Sequence, residues 1–194
     1  RLQFAAMGLG FIQRMLDEAI EHCNQRKVGN CSLSSMDSVR YQLSRIQAAY
    51  TLASAMCAHA TEMSGIAFDL SGEGIKANSM KALVSDLMQE SAQICVQLSG
   101  SGGYKIDHIA GRGIIDSRPF QIFEGSNEML YAQIAEVLTR QMKKYKLDNF
   151  YAYLKDYELT RRIAPMFKNH LNFSIPDILV QRQLIVIGRI VARL

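Results

Sequence analysis

The sequence predicts an all-α protein, an up-down bundle of four long helices with extra C-terminal helices. Three observations predict it. Apolar residues recur at steps of three and four through four long stretches. No stretch alternates apolar and polar residues convincingly at the period of a strand. Clusters of Gly, Ser and Asn fall between the stretches, where helices would stop and turn. At 194 residues, 48% hydrophobic and 21% charged, the chain is long enough to bury the core of one globular domain with an appendage.

The first stretch, residues 1–26, has Phe4, Leu9, Ile12, Leu16 and Ile20 on one face, with charges between them. Val28-Gly29-Asn30 and the run from Ser32 to Ser35 break it. The second is the clearest, because Val39, Leu43, Ile46, Tyr50, Ala53, Cys57 and Ala60 alternate steps of four and three and ask for a partner helix at a shallow crossing angle. Asp37 or Ser38 can cap it. Gly65, Gly72 and Gly74 mark a turn, with Ser71 a candidate cap, and a third helix runs to about Ser99 with Met80, Val84, Leu87, Ser91, Ile94 and Leu98 inward. A short helix fits near Ile109–Asp116. The fourth long helix spans Asn127 to Tyr145, with Met129, Leu130, Ile134, Val137, Leu138 and Met142 inward. Residues 148–172 change texture, with Phe150, Tyr151, Tyr153 and Tyr157. Ser174 then caps a last helix with Pro176 in its first turn. That helix, Ile178 to Leu194, is apolar on more than one side and should pack against a neighbouring subunit or a part of the protein outside this sequence. A membrane-surface helix framed by Arg182, Arg189 and Arg193 is the weaker alternative.

Several function classes fall away on composition. Apolar runs are too short to span a bilayer. The net charge of +4 comes from scattered basic residues, apart from Arg140 to Lys146 and the pair Arg161–Arg162. With no Trp and no aromatic RNA-binding signature, nucleic acid is not the expected partner. Cys23, Cys31, Cys57 and Cys95 lack CxxC spacing and the four histidines offer no HxxxH pair, so buried thiols in a reducing compartment are expected, and neither disulfides nor a metal centre. The chain opens on Arg1, without an initiator Met and already inside a helical pattern, which reads as a piece of a longer protein.

Chemistry concentrates where the periodicity stops, between Gln97 and Glu128. The cluster Ser99-Gly100-Ser101-Gly102-Gly103 follows a helix and not a strand, so it lacks the context of a Rossmann or P-loop cradle. It is either a helix C-terminus with left-handed glycines or backbone that a flat or anionic ligand can approach. Glu124 stands between Phe123 and Gly125. A bare Glu is usually a solvated surface group, but one held partly out of water between an aromatic and a turn can serve as a base near neutral pH.

Gln97-x-x-Gly100-x-x-Gly103-Tyr104, Asp116 and Gln121-Ile122-Phe123-Glu124-Gly125-Ser126-Asn127-Glu128 together resemble the C-terminal helical domain of the flavin-dependent acyl-CoA dehydrogenases. The opening helix, with Arg1, Ala6, Gly8, Gly10, Ala19 and Arg26-Lys27, is similar to that family's first. The likeness covers roughly residues 1–145. It implies a bundle domain over 1–146, a helical extension over 147–194, and flavin-binding domains that precede this piece.

The resemblance also implies roles. Glu124 corresponds to the base that takes the α-proton of an acyl-CoA thioester, with its own backbone N–H on the thioester oxygen. Phe123, Gly125 and Arg1 fall on the substrate side. Arg26 and Gln97, Leu98, Ser99, Gly100 and Ser101 match positions that reach the FAD of a neighbouring subunit. Ser126, Asn127 and Glu128 match the helix start that touches the domain's own FAD. Implied partners are acyl-CoA, the protein's own N-terminal domains, further copies in a dimer or tetramer, and an electron-transfer flavoprotein. The implied compartment is a bacterial cytoplasm or a mitochondrial matrix. Val28-Gly29, Asp37, Ser101 and Ile115 depart from the family pattern. Some of these departures favour an alternative, a non-catalytic helical oligomerisation module; acyl-CoA oxidase is a third reading. Alone, the piece is expected to bind FAD poorly and to turn over nothing.

Overall fold

A computed structural model describes residues 3–63 and 74–194. Helices dominate these residues. Arg1 and the turn signals Gly65, Ser71 and Gly72 lie outside them. The chain forms two compact units.

In the first unit, helix α1 (Gln3–Gln25) leads into a two-residue hairpin, β1 (Lys27–Val28) against β2 (Cys31–Ser32). Helix α2 follows (Asp37–Met63), then the part of α3 (Gly74–Ser99) from Met80 onward, then α4 (Ile109–Ser117). The hairpin is a departure from the strandless expectation. Gly29, at φ 61, supplies the left-handed turn that lets so short a pair close. Helix α2 begins at Asp37 itself, and the carbonyl of Met36 receives the amides of Val39 and Arg40.

The core of this unit joins Ile12, Met15, Leu16 and Ala19 of α1 to Ile46, Ala49 and Ala53 of α2 and to Val84, Met88, Ala92 and Cys95 of α3. Ile20 is exposed. The inward stripe of α1 runs instead through Ala5, Gly8, Ile12, Met15, Ala19 and Cys23, where small residues admit a close neighbour. A Cβ on Gly8 would lie 2.0 Å from Cγ1 of Val84. Gly8 meets Val84 and Met88, while Cys23 and Cys95, late in each helix, share one core cluster. The pairing therefore advances in the same direction along both helices, and α1 and α3 run parallel. Ala60 of α2 packs with Ala5 and Met80, so α2 runs antiparallel to both.

The second unit holds α5 (Asn127–Lys144), α6 (Phe150–Leu154), α7 (Lys168–Leu171) and α8 (Gln181–Arg193), with the first turns of α3. Helix α5 buries Leu130, Tyr131, Ile134, Ala135, Leu138 and Met142. Met129 and Val137, expected inward, are exposed. The last helix starts later than expected. Ser174 pairs with Asn149 in a β-bridge, and the amide of Ile175 donates to the carbonyl of Asp148. Pro176 favours extended backbone at Ile175, so the helix opens only at Gln181, where the Gln183 side chain accepts from the amide of Val180 at 3.0 Å. Its buried face, Ile187, Gly188, Val191 and Ala192, packs within its own unit. At Gly188 the backbone comes so close to α5 that a Cβ would lie 1.9 Å from the carbonyl oxygen of Tyr131.

Candidate functional site

The described site residues of the first unit divide between the two ends of its helices, while Ser126, Asn127 and Glu128 belong to the second unit. At one end α3 stops. Gly100 takes φ 60 and closes the helix in the left-handed conformation, and a 3-10 turn follows over Gly100–Gly102. Two of the nearby glycines are fixed by packing. A Cβ on Gly103 would meet Cβ of Ser99 at 2.7 Å, and one on Gly111 would meet the carbonyl oxygens of Lys105 and Gly103 at 2.6 and 2.8 Å. Gly100 and Gly102 differ, because nothing lies within 4 Å of where their Cβ atoms would stand. Both expectations for the Gly/Ser cluster thus have a physical counterpart, a left-handed helix stop and open backbone that a ligand can reach.

Gln97 and Ser101 are exposed, while Leu98 and Ser99 are buried, so Leu98 and Ser99 can offer only backbone to a ligand. Burial pushes the Cys95 thiol, one turn before Ser99, up to about 11. Arg26 follows α1 directly, is exposed, and accepts the Leu33 amide on its carbonyl. Because α1 and α3 run parallel, Arg26 and the 97–101 turn share this end.

Glu124 belongs to the other end, with the start of α1 and the early turns of α3. Helix α4 passes into a 3-10 turn over Arg118–Gln121, with Pro119 near its start. Here the chain is moored to α3 at three places. The Ser117 hydroxyl reaches Oε1 of Gln89 at 3.0 Å, the Gln121 amide donates to Oδ1 of Asp86 at 2.7 Å, and Nζ of Lys81 donates to the carbonyl of Gly125 at 2.8 Å. Three rings add an apolar anchor. Phe123 lies 5.4 Å from Phe4 and 5.3 Å from Phe120, and Phe4 meets Phe120 edge-on at 5.8 Å.

Between these fixings the backbone is held in an uncommon shape. Glu124 has φ 58 and Gly125 has φ 95. A side chain disfavours the left-handed region by roughly 1–2 kcal/mol, so the surroundings must hold Glu124 there. The carboxylate is exposed in this chain, and Phe123 is 43% exposed. This chain's own residues brace the backbone beneath Glu124. Chemically, the turn can present a proton acceptor beside an accessible aromatic face and a residue without a side chain.

Next in sequence, Ser126 caps α5, its hydroxyl accepting from the Met129 amide at 3.4 Å. Asn127 is buried and Glu128 is exposed in the first turn. Arg1, the last predicted site residue, lies outside the described residues. Sequence reasoning missed Lys81, Asp86 and Gln89. No local signal in the sequence marks them, because polar residues recur all along this helix.

Comparison with known proteins shows the family. The pattern of the acyl-CoA dehydrogenase C-terminal domain matches residues 1–139. A probable acyl-CoA dehydrogenase of Mycobacterium leprae (strain TN) is 29% identical over 147 residues, covering 72% of this chain and 36% of its own. The butyryl-CoA dehydrogenase structure from Megasphaera elsdenii superposes with a TM-score of 0.59 at 26% identity, over 72% of this chain and 36% of that one. A chain in the structure of the electron transferring flavoprotein of Acidaminococcus fermentans has a TM-score of 0.58 at 26% identity, again over 72% and 36%. This chain spans about a third of the length of the curated relatives it matches, 36% for the Mycobacterium leprae protein. Its all-α architecture is that of the family's helical domain, and by the pattern covering residues 1–139 the chain belongs to the acyl-CoA dehydrogenase family, in its C-terminal domain.

Proposed function

We propose that this chain is part of an FAD-dependent acyl-CoA dehydrogenase in which Glu124 removes the α-proton of an acyl-CoA thioester. The observation that carries the reading is the left-handed Glu124–Gly125 turn, braced through the Gly125 carbonyl, inside the stretch that matches the family. A base has to be held at a fixed angle to a carbon acid, and a turn fixed on both sides of the carboxylate does that. Phe123 offers an apolar wall to the acyl chain. Gly125 lets the thioester come close to backbone. The Glu124 N–H is a donor for the thioester oxygen as negative charge builds on it.

A flavin bound beside this turn would accept the β-hydrogen with its electron pair. Two groups of residues suit such a cofactor. Arg26 supplies a cation for a diphosphate, and the exposed backbone at Gly100 suits an adenosine end; the empty space around Gly100 and Gly102 supports that fit. The second group is Ser126–Glu128, where a helix N-terminus favours phosphate oxygens. Positions 81 and 97 of α3 lie about 24 Å apart along its axis. We read the two groups as contacts to two different FAD molecules, one from a neighbouring copy, and hence a dimer or tetramer. An electron-transferring flavoprotein is the proposed electron acceptor, supported by the likeness to a chain solved in a structure of that name.

The test is Glu124→Gln in the full-length protein. Exchange of the acyl-CoA α-proton with deuterated water should fall by about 10³-fold, the scale of a general base, with FAD still bound. Exchange at the wild-type rate would remove Glu124 from the role.

A further inference from the structure

Lys81 is fully buried, at 0% exposure. Lysine is almost never buried completely without a partner, because the ammonium gives up its water. Its Nζ donates to the carbonyl of Gly125 at 2.8 Å. That carbonyl directly follows two residues with positive φ, Glu124 at 58 and Gly125 at 95. The Phe123 ring and the Gln121–Asp86 bond fix the chain ahead of Glu124. The Lys81 ammonium fixes it behind.

We propose that Lys81 is a positioning residue for Glu124, holding the Gly125 carbonyl so that the strained turn keeps its carboxylate aimed at the substrate. The inference rests on the reading of Glu124 as the base. A glutamate left to itself prefers the right-handed or extended region, and without a clamp on the following carbonyl the turn can relax toward either. The side chain would then leave from a different angle, although every atom of the base is still present. A charged donor suits this task, because its hydrogen bond to a carbonyl is stronger than that of a neutral donor. In this role Lys81 acts through the backbone, by its bond to the Gly125 carbonyl.

The test uses the full-length, flavin-containing protein with Lys81→Met, which keeps a long apolar stem and removes the donor. Acyl-CoA α-proton exchange should fall by about 100-fold, the scale of a misplacement of roughly 1 Å. FAD content and the acyl-CoA dissociation constant should stay within about twofold, since ground-state binding is not the lost interaction. Lys81→Arg, which restores a cationic donor, should recover at least about tenfold of the lost exchange. Exchange near the wild-type rate in Lys81→Met overturns the proposal. So does a joint loss of exchange, FAD and thermal stability, which marks a purely structural lysine. If Lys81→Met does not fold, Lys81→Gln is read by the same criteria. Glu124→Gln, measured alongside, separates the two claims. If it retains exchange the base assignment fails; if it loses exchange while Lys81→Met keeps it, the positioning role alone fails.

Discussion

Cysteines show how burial sorts one residue type into different chemistries. Cys31 is exposed in the hairpin, whereas Cys23 and Cys95 are buried, and burial pushes both of their pKa values up. A thiol that keeps its proton is a poor nucleophile. Alkylation at pH 8 should therefore modify Cys31 first and reach Cys95 only on unfolding; equal rates in peptide mapping would contradict this. The shift at Cys95, from 9.0 to about 11, also sets a pH dependence. Between those values the unfolded chain loses this proton and the folded chain keeps it. The folded state then binds more protons, so stability falls as pH rises through the window. Cys95→Ala should flatten the slope of the denaturation midpoint there. Tyr153, raised by burial from 10.0 to about 12, acts with the same sign at higher pH. Legibility at this scale depends on whether a residue's meaning is local. Glu124 could be picked out because Phe123, Gly125 and the cap Ser126 adjoin it. Lys81 could not, since its partner stands 44 residues away and a lone lysine on a helix ordinarily reads as solvated.

Helices were legible as elements wherever their periodicity was strong, and errors arose where tertiary contacts chose among several apolar faces. Ile20, Met129 and Val137 sit at plausible helical spacing yet point outward, because small residues let neighbouring helices approach a different stripe. The same effect makes Gly188 a sensitive point. An added Cβ would lie 1.9 Å from the oxygen and 2.5 Å from the carbonyl carbon of Tyr131, both backbone atoms that cannot turn aside. Gly188→Ala should destabilise the second unit by at least about 1–3 kcal/mol, read as a lowered thermal midpoint, and a wild-type midpoint would refute the close packing. Arg189, whose guanidinium carbon lies 5.5 Å from the centroid of the Tyr131 ring, would lose its stacking in that variant. The start of α8 was misread for a related reason. Ser174 and Pro176 make an ordinary helix opening by sequence, but pairing with the Asn149 segment claims Ser174 for an extended bridge.

On the scale of the whole molecule, the proposed cofactor contacts belong to different compact units, Arg26 and residues 97–101 to one and Ser126–Glu128 to the other. This chain by itself should hold FAD weakly and show no turnover. A tight one-to-one complex in a fluorescence titration would contradict that expectation, whereas the full-length protein should purify yellow and bleach with an acyl-CoA. Helix α3 carries a further consequence, since it starts beside one cluster and ends at the other. It works as a ruler with a fixed phase. Removing a single residue between Ser85 and Gln97 would turn one end against the other by about 100° and shorten the span by about 1.5 Å. Each end could keep its own local geometry, yet the Glu124 turn and the Gly100 turn would lose their present relation to each other.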